Sequence, residues 1–167
     1  EHFKPEQRIL ALTKMLSLTK NFVILSAPFY NKDTEFVENK ANSLFFQMLN
    51  KNHPWLEEHF ENNLPSKSEL ETFLKENNYD FISFETSNLS NWLLTNFISD
   101  YIFANGISDE KIIHINEFYN KNIDKLGHYN HPCYRTAYLI GKKGTLQKLD
   151  KLKELDKPYD VKTFSAK

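Results

Sequence analysis

The run Phe22-Val23-Ile24-Leu25 is apolar without interruption, and it closes with Ser26-Ala27-Pro28-Phe29. A strand that never alternates with polar residues is one covered on both faces, the pattern of a central strand in a parallel sheet. Such a strand needs neighbours on either side and helices above and below it. An α/β fold is therefore expected.

The rest of the chain supplies helices more readily than strands. Lys4-Pro5-Glu6 opens a helix at a position where the missing proline N–H costs nothing, and Ile9, Leu12, Met15 and Leu16 follow at helical spacing. Asp33 or Thr34 can cap a second helix through Phe36/Val37, Leu44/Phe45 and Met48/Leu49. Ser66-Lys67-Ser68-Glu69 is a capping box for a third through Leu70, Phe73 and Leu74. Phe81 to Glu85 reads as a strand. A strongly apolar helix from Trp92 to Ile102 ends at Asn105-Gly106, and Ser108 caps another. Tyr134 to Ile140 is the third strand. Leu146, Leu149, Leu152 and Leu155 line a final amphipathic helix, which with a polar tail makes up residues 144–167. The inventory is about three strands against about six helices. A doubly wound sheet normally has five or more strands, so this one is partial, and its remainder is expected upstream of Glu1.

Composition narrows the function classes. Lys plus Arg (21) nearly balances Asp plus Glu (22), leaving a net charge of −1. No basic run supplies the footprint of a nucleic-acid binder. No apolar run approaches the roughly 20 residues that span a bilayer. A single cysteine, Cys133, precludes an intrachain disulfide and fits a reducing compartment, so a cytoplasmic location is expected.

The four glycines form neither a G-x-G-x-x-G turn nor a P-loop, and Gly141-Lys142-Lys143-Gly144 reads as a strand exit. G-x-S-x-G, H-E-x-x-H and C-x-x-C are all absent. Two polar clusters stand out. His53-Pro54-Trp55-Leu56-Glu57-Glu58-His59 packs two imidazoles, two carboxylates and an indole into seven residues. It reads either as an acid–base cluster or as a proline-started helical turn anchored by Trp55 with its charges in water. His128-Tyr129-Asn130-His131-Pro132-Cys133 carries ligand-type atoms, or is simply a polar loop before a strand. No spacing demands a metal, although the two clusters could hold one if they met in space.

The order of these parts resembles the C-terminal half of a class I, Rossmann-like S-adenosylmethionine-dependent methyltransferase. It is most similar to a bacterial group associated with glycosyltransferases in surface-polysaccharide biosynthesis. The resemblance rests on Glu1-His2 before a helix and an apolar strand, on the His53 to His59 block followed by Leu64-Pro65, and on Asn88-Leu89-Ser90-Asn91-Trp92-Leu93. It continues through Asn116-Glu117-Phe118-Tyr119-Asn120, and then Pro132 with Tyr134-Arg135 leading into the last strand. It covers residues 1–143 and implies that the three strands correspond to strands five to seven of that fold.

The resemblance also implies site residues. Glu1 and His2 would lie at the cofactor side, with Pro28, Phe29, Trp55 and Glu58 toward a sugar or other small-molecule acceptor. His59 or His53 would be the base that takes a hydroxyl proton. The family's glycine-rich cofactor loop and the acidic residue after its second strand have no counterpart here, so this chain alone is not expected to bind the cofactor or to turn over. A partial sheet would also leave an apolar edge open to self-association. The competing expectation is a non-catalytic interaction or scaffold module that uses the aromatic helices at 90–105 and 108–124. A histidine-ligated metal protein is the third.

Overall fold

In a computed structural model, the description covers residues 2–122, 125–146 and 161–164. Ten elements follow in order: α1 (Pro5–Leu18), β1 (Phe22–Pro28), α2 (Lys32–Leu49), α3 (Pro54–Asn62), α4 (Lys67–Glu76), β2 (Tyr79–Asn88), α5 (Leu89–Ala104), α6 (Asp109–Lys121), β3 (Cys133–Lys142) and β4 (Val161–Phe164). The chain is α/β, with six helices, three long strands and a four-residue fourth. The expected helix through Leu149, Leu152 and Leu155 lies outside the described residues, as does Glu1. Part of the expected polar tail forms β4.

The strand order is β1-β3-β2-β4, and every adjacent pair is antiparallel. β1 and β2 both oppose β3, so they run in the same direction with β3 inserted between them. This revises the expectation for the apolar run, because among the described residues β1 is an edge strand rather than a central one. Its pattern still has a physical reading. Val23 and Ala27 face a core shared with Leu12 and Leu16 of α1, Leu70 and Leu74 of α4, Phe81 of β2, and Tyr138 and Ile140 of β3. Ile24 points the other way and is 67% exposed. One face of the strand is packed, and the other leaves Phe22 and Ile24 exposed.

The helix ends are chemically defined. Pro5 starts α1 and Pro54 starts α3 at positions that need no N–H. The Ser66 hydroxyl accepts from the Glu69 N–H at 3.3 Å, as the capping box anticipates. For α2 the cap is neither Asp33 nor Thr34. Asn31 holds the position, and its Oδ1 accepts the Thr34 N–H at 2.9 Å. α2 then exits through Asn50 in the left-handed region at φ 52°, which asparagine tolerates better than most residues.

A second, smaller core ties Val37 of α2 to Leu89 of α5 and Tyr134 of β3, with Trp92 and Leu93 packed against it. This junction positions the candidate site.

Candidate functional site

α3 explains how the His53 to His59 block is used. With Pro54 as the first helical residue, His53 becomes the N-cap and Leu56 and His59 fall three residues apart on one face. Both are buried. Trp55 and Glu58 fall outside that stripe. A cavity of about 280 Å³ opens beside the helix, and its wall includes His2, His53, Trp55, His59, Trp92, Asn96, Asp100, Tyr134 and Arg135.

Two of these wall residues, His59 and Tyr134, meet at the buried Glu38 in a three-residue network. His59 Nδ1 lies 2.9 Å from Glu38 Oε1, and the Tyr134 hydroxyl donates to the same oxygen at 2.6 Å. Glu38 is 2% exposed and His59 6%, so the three groups interact away from water, where hydrogen bonds are electrostatically stronger. A carboxylate can only accept, so Nδ1 carries a hydrogen, and in the neutral ring Nε2 is then the acceptor. That Nε2 is buried and has no hydrogen-bond partner among the described residues. Nitrogen-15 NMR of the imidazole should show this Nδ1–H tautomer in the unliganded protein. A dominant Nε2–H signal would contradict the assignment.

His53 faces the same cavity in a looser setting. Its ring packs against Phe45 and Trp55, with centroids at 4.7 and 5.5 Å. Its backbone N–H donates to Asn42 Oδ1 at 2.8 Å. Its Nε2 stands 3.9 Å from Asp100, too long for a hydrogen bond, and its Nδ1 is buried without a partner among the described residues. Burial raises the Asp100 carboxyl above its ordinary range, and His53 only partly opposes the shift. A carboxyl with a raised folded-state pKa costs stability above that pKa, and the cost disappears as pH falls through it. Asp100→Asn should therefore raise the melting temperature slightly at pH 7, with the gain narrowing towards about pH 4. A variant less stable than wild type at pH 7 would show that the His53 contact outweighs burial.

The remaining walls are aromatic. Trp92 stacks on Tyr134 with centroids 3.9 Å apart and planes 23° from parallel. Trp55 is 66% exposed at the rim. The Arg135 guanidinium carbon lies 6.0 Å from the Tyr134 ring centre. His2 sits at the mouth, with its ring 5.5 Å from that of His59 and its Nδ1 2.6 Å from Glu58 Oε2.

The structure thus brings together His2, His53, Trp55 and His59, with Glu58 reached through His2. Pro28 and Phe29 lie elsewhere. Both are buried, and Phe29 packs edge-on against Tyr138 at 5.5 Å and lines a separate apolar cavity beside α1. Glu38, Asp100 and Tyr134 were not anticipated. A signal for Glu38 did exist, because it shares the inward stripe of Thr34, Val37, Ala41 and Phe45 at helical spacing.

The second polar cluster does not meet the first. His128 braces a turn: its Nε2 lies 2.6 Å from the Thr86 hydroxyl and its Nδ1 2.8 Å from that of Tyr119. His131 Nδ1 instead lies 3.0 Å from Glu85 Oε2.

No protein-family model matches the chain, and neither curated proteins nor solved structures yield a significant match.

Proposed function

We propose that this chain is the C-terminal portion of a S-adenosylmethionine-dependent methyltransferase whose acceptor is a sugar or another small hydroxylated molecule. In this reading His59 takes the acceptor's hydroxyl proton. The observation that carries it is the buried Tyr134–Glu38–His59 chain, which leaves Nε2 of His59, a residue lining the cavity, buried and unpartnered among the described residues. Leaving a buried polar atom unpaired costs about 1–3 kcal/mol, a cost that a hydroxyl donor from a ligand would relieve. Glu38 would hold the ring in the reactive tautomer and stabilise the imidazolium once the proton has moved. This is positioning combined with general-base catalysis, the two contributions a protein makes to an in-line displacement.

The cavity suits an acceptor better than it suits a cofactor. Stacked Trp92 and Tyr134, with Trp55 at the rim, offer flat apolar walls to a sugar ring, while Asn96, Asp100 and His53 offer hydrogen bonds. A volume of about 280 Å³ lies at the lower limit for small-molecule sites, which start at roughly 300 Å³. S-adenosylmethionine supplies an electrophilic methyl group when bound. Of the cofactor-side residues, His2 alone stands at this mouth among the described residues. The described residues do not make a full cofactor site, so the cofactor's grip is assigned to upstream sequence.

The open edge supports the same reading. β1 has no strand partner on its outer edge among the described residues, and Phe22 and Ile24 are exposed on one of its faces. Upstream strands would complete the sheet on that side. Without them a second copy would serve, and sedimentation should show concentration-dependent association of this chain. A strict monomer at high concentration would contradict that. No described helix is long and apolar enough to cross a membrane, and a cytoplasmic location belongs to the same proposal. The test is transfer of labelled methyl from S-adenosylmethionine to a panel of sugars, catalysed by the product of the complete reading frame. Labelled product is expected, and its absence across hydroxylated acceptors would sink the assignment.

One set of observations favours the interaction-module reading instead. Leu94, Tyr101, Phe103, Ile113 and Phe118 of α5 and α6 are at least half exposed. If methyl transfer fails, this aromatic surface becomes the leading functional feature.

A further inference from the structure

Away from the histidine cavity, three different metal-ligating side chains converge where β2 meets the start of β3. Glu85 lies in the middle of β2, Cys133 is the first residue of β3, and His131 precedes it by two residues. We propose that Glu85, His131 and Cys133 form a binding site for one divalent cation of the zinc class. Their ligand atoms all lie within 4.8 Å of one another. Zinc bonds of roughly 2.0–2.3 Å in tetrahedral geometry set donors about 3.3–3.8 Å apart. His131 Nδ1 and Glu85 Oε2, 3.0 Å apart, already lie about that close, and no other separation in the triangle needs to shorten by more than about 1.5 Å, a distance on the scale of a side-chain rotation.

The donor set selects the ion. A sulfur, an imidazole nitrogen and a carboxylate oxygen suit a borderline cation such as zinc, whereas magnesium and calcium require oxygen shells. The surroundings already orient the carboxylate. Lys67 pairs with Glu85 Oε1, and Oε2 is the oxygen aimed at His131. Lys67 would thus keep one carboxylate oxygen occupied while the other faces the ion, as outer partners do in metal sites. The Cys133 thiol donates to the Asn130 carbonyl at 3.4 Å. On binding, the thiol gives up its proton to solvent, and His131 binds through Nδ1 as a neutral ring with its hydrogen on Nε2.

Three protein ligands leave one coordination position. A cavity of about 200 Å³ borders Glu85 and His131, with Ser83, Thr136 and Tyr138 on its walls, and so gives that position room for water or a small ligand. The His131 side chain is 48% exposed, which provides a route in for the ion. None of these residues lines the cavity around His59, so the site stands or falls independently of the methyltransferase reading.

The purified protein titrated with cobalt(II), a spectroscopic substitute for zinc, should develop a thiolate-to-cobalt absorption band that saturates at one equivalent. Zinc should then abolish that band by displacement. Cys133→Ser should eliminate it, and His131→Ala should weaken zinc binding at least tenfold. His131 is exposed, so His131→Ala is expected to keep the wild-type circular dichroism spectrum and to report on binding rather than folding. Absence of the band in folded wild-type protein would overturn the site. So would a zinc affinity that is unchanged in both variants.

Discussion

On the proposed function, His59→Gln in the product of the complete reading frame should lower kcat for methyl transfer by about a hundredfold or more while leaving binding of S-adenosylhomocysteine unchanged. Glutamine is the informative substitution because its amide can still donate to Glu38, so the buried carboxylate keeps its second donor. What is lost is the lone pair that accepts the acceptor's proton. A hundredfold change corresponds to about 2.7 kcal/mol of transition-state stabilisation, an ordinary share for one general base. His59→Ala should lose at least as much turnover and also some stability, because among the described residues it leaves Glu38 with the Tyr134 hydroxyl as its hydrogen-bond donor. A near-normal rate in His59→Gln would remove His59 from the role and turn attention to His53, which lines the same cavity.

The largest stability effect should come from Leu74→Ala. Leu74 is fully buried in the last turn of α4, within the core that joins α1, α4 and the sheet. Deleting its isobutyl end removes hydrophobic transfer energy and leaves a cavity that packed neighbours fill only in part, at a cost of about 2–5 kcal/mol. For a chain of this size each kcal/mol lowers the melting temperature by about 2–4 °C, so a fall of roughly 10 °C is expected. Leu10→Ala is the matched control, because Leu10 is 72% exposed on α1 and its loss should cost no more than about 0.5 kcal/mol. Similar melting temperatures for the two variants would mean that α4 is not packed as described.

The sequence announced most of the elements because their signals are local. Pro5, Pro54 and the Ser66 box mark helix starts, and each helix begins where its marker stands. The place of β1 in the sheet was not legible. An apolar run reports that a strand prefers burial, but it does not report which neighbours are available to bury it. The Asn31 cap was obscured by nearby Asp33 and Thr34, which carry the same kind of side-chain oxygen.

The site divides along the same line. Leu56 and His59 could be placed inward from helical spacing once Pro54 fixed the start of α3. Glu38 was visible on the apolar stripe of α2, but its chemical meaning depends on Tyr134, 96 residues away. Sheet pairing and the docking of α2 bring those two residues together, and no local pattern encodes that meeting. Pro28 and Phe29 show the converse, since a strand end that resembles a substrate lip is here enclosed in the core.

The central claim, a methyltransferase half completed by upstream sequence, is tested most directly by calorimetric titration of S-adenosylhomocysteine. The product of the complete reading frame and this 167-residue chain would be titrated side by side. The account predicts saturable binding to the longer protein and none to the chain alone. Failure of the longer protein to bind would contradict it.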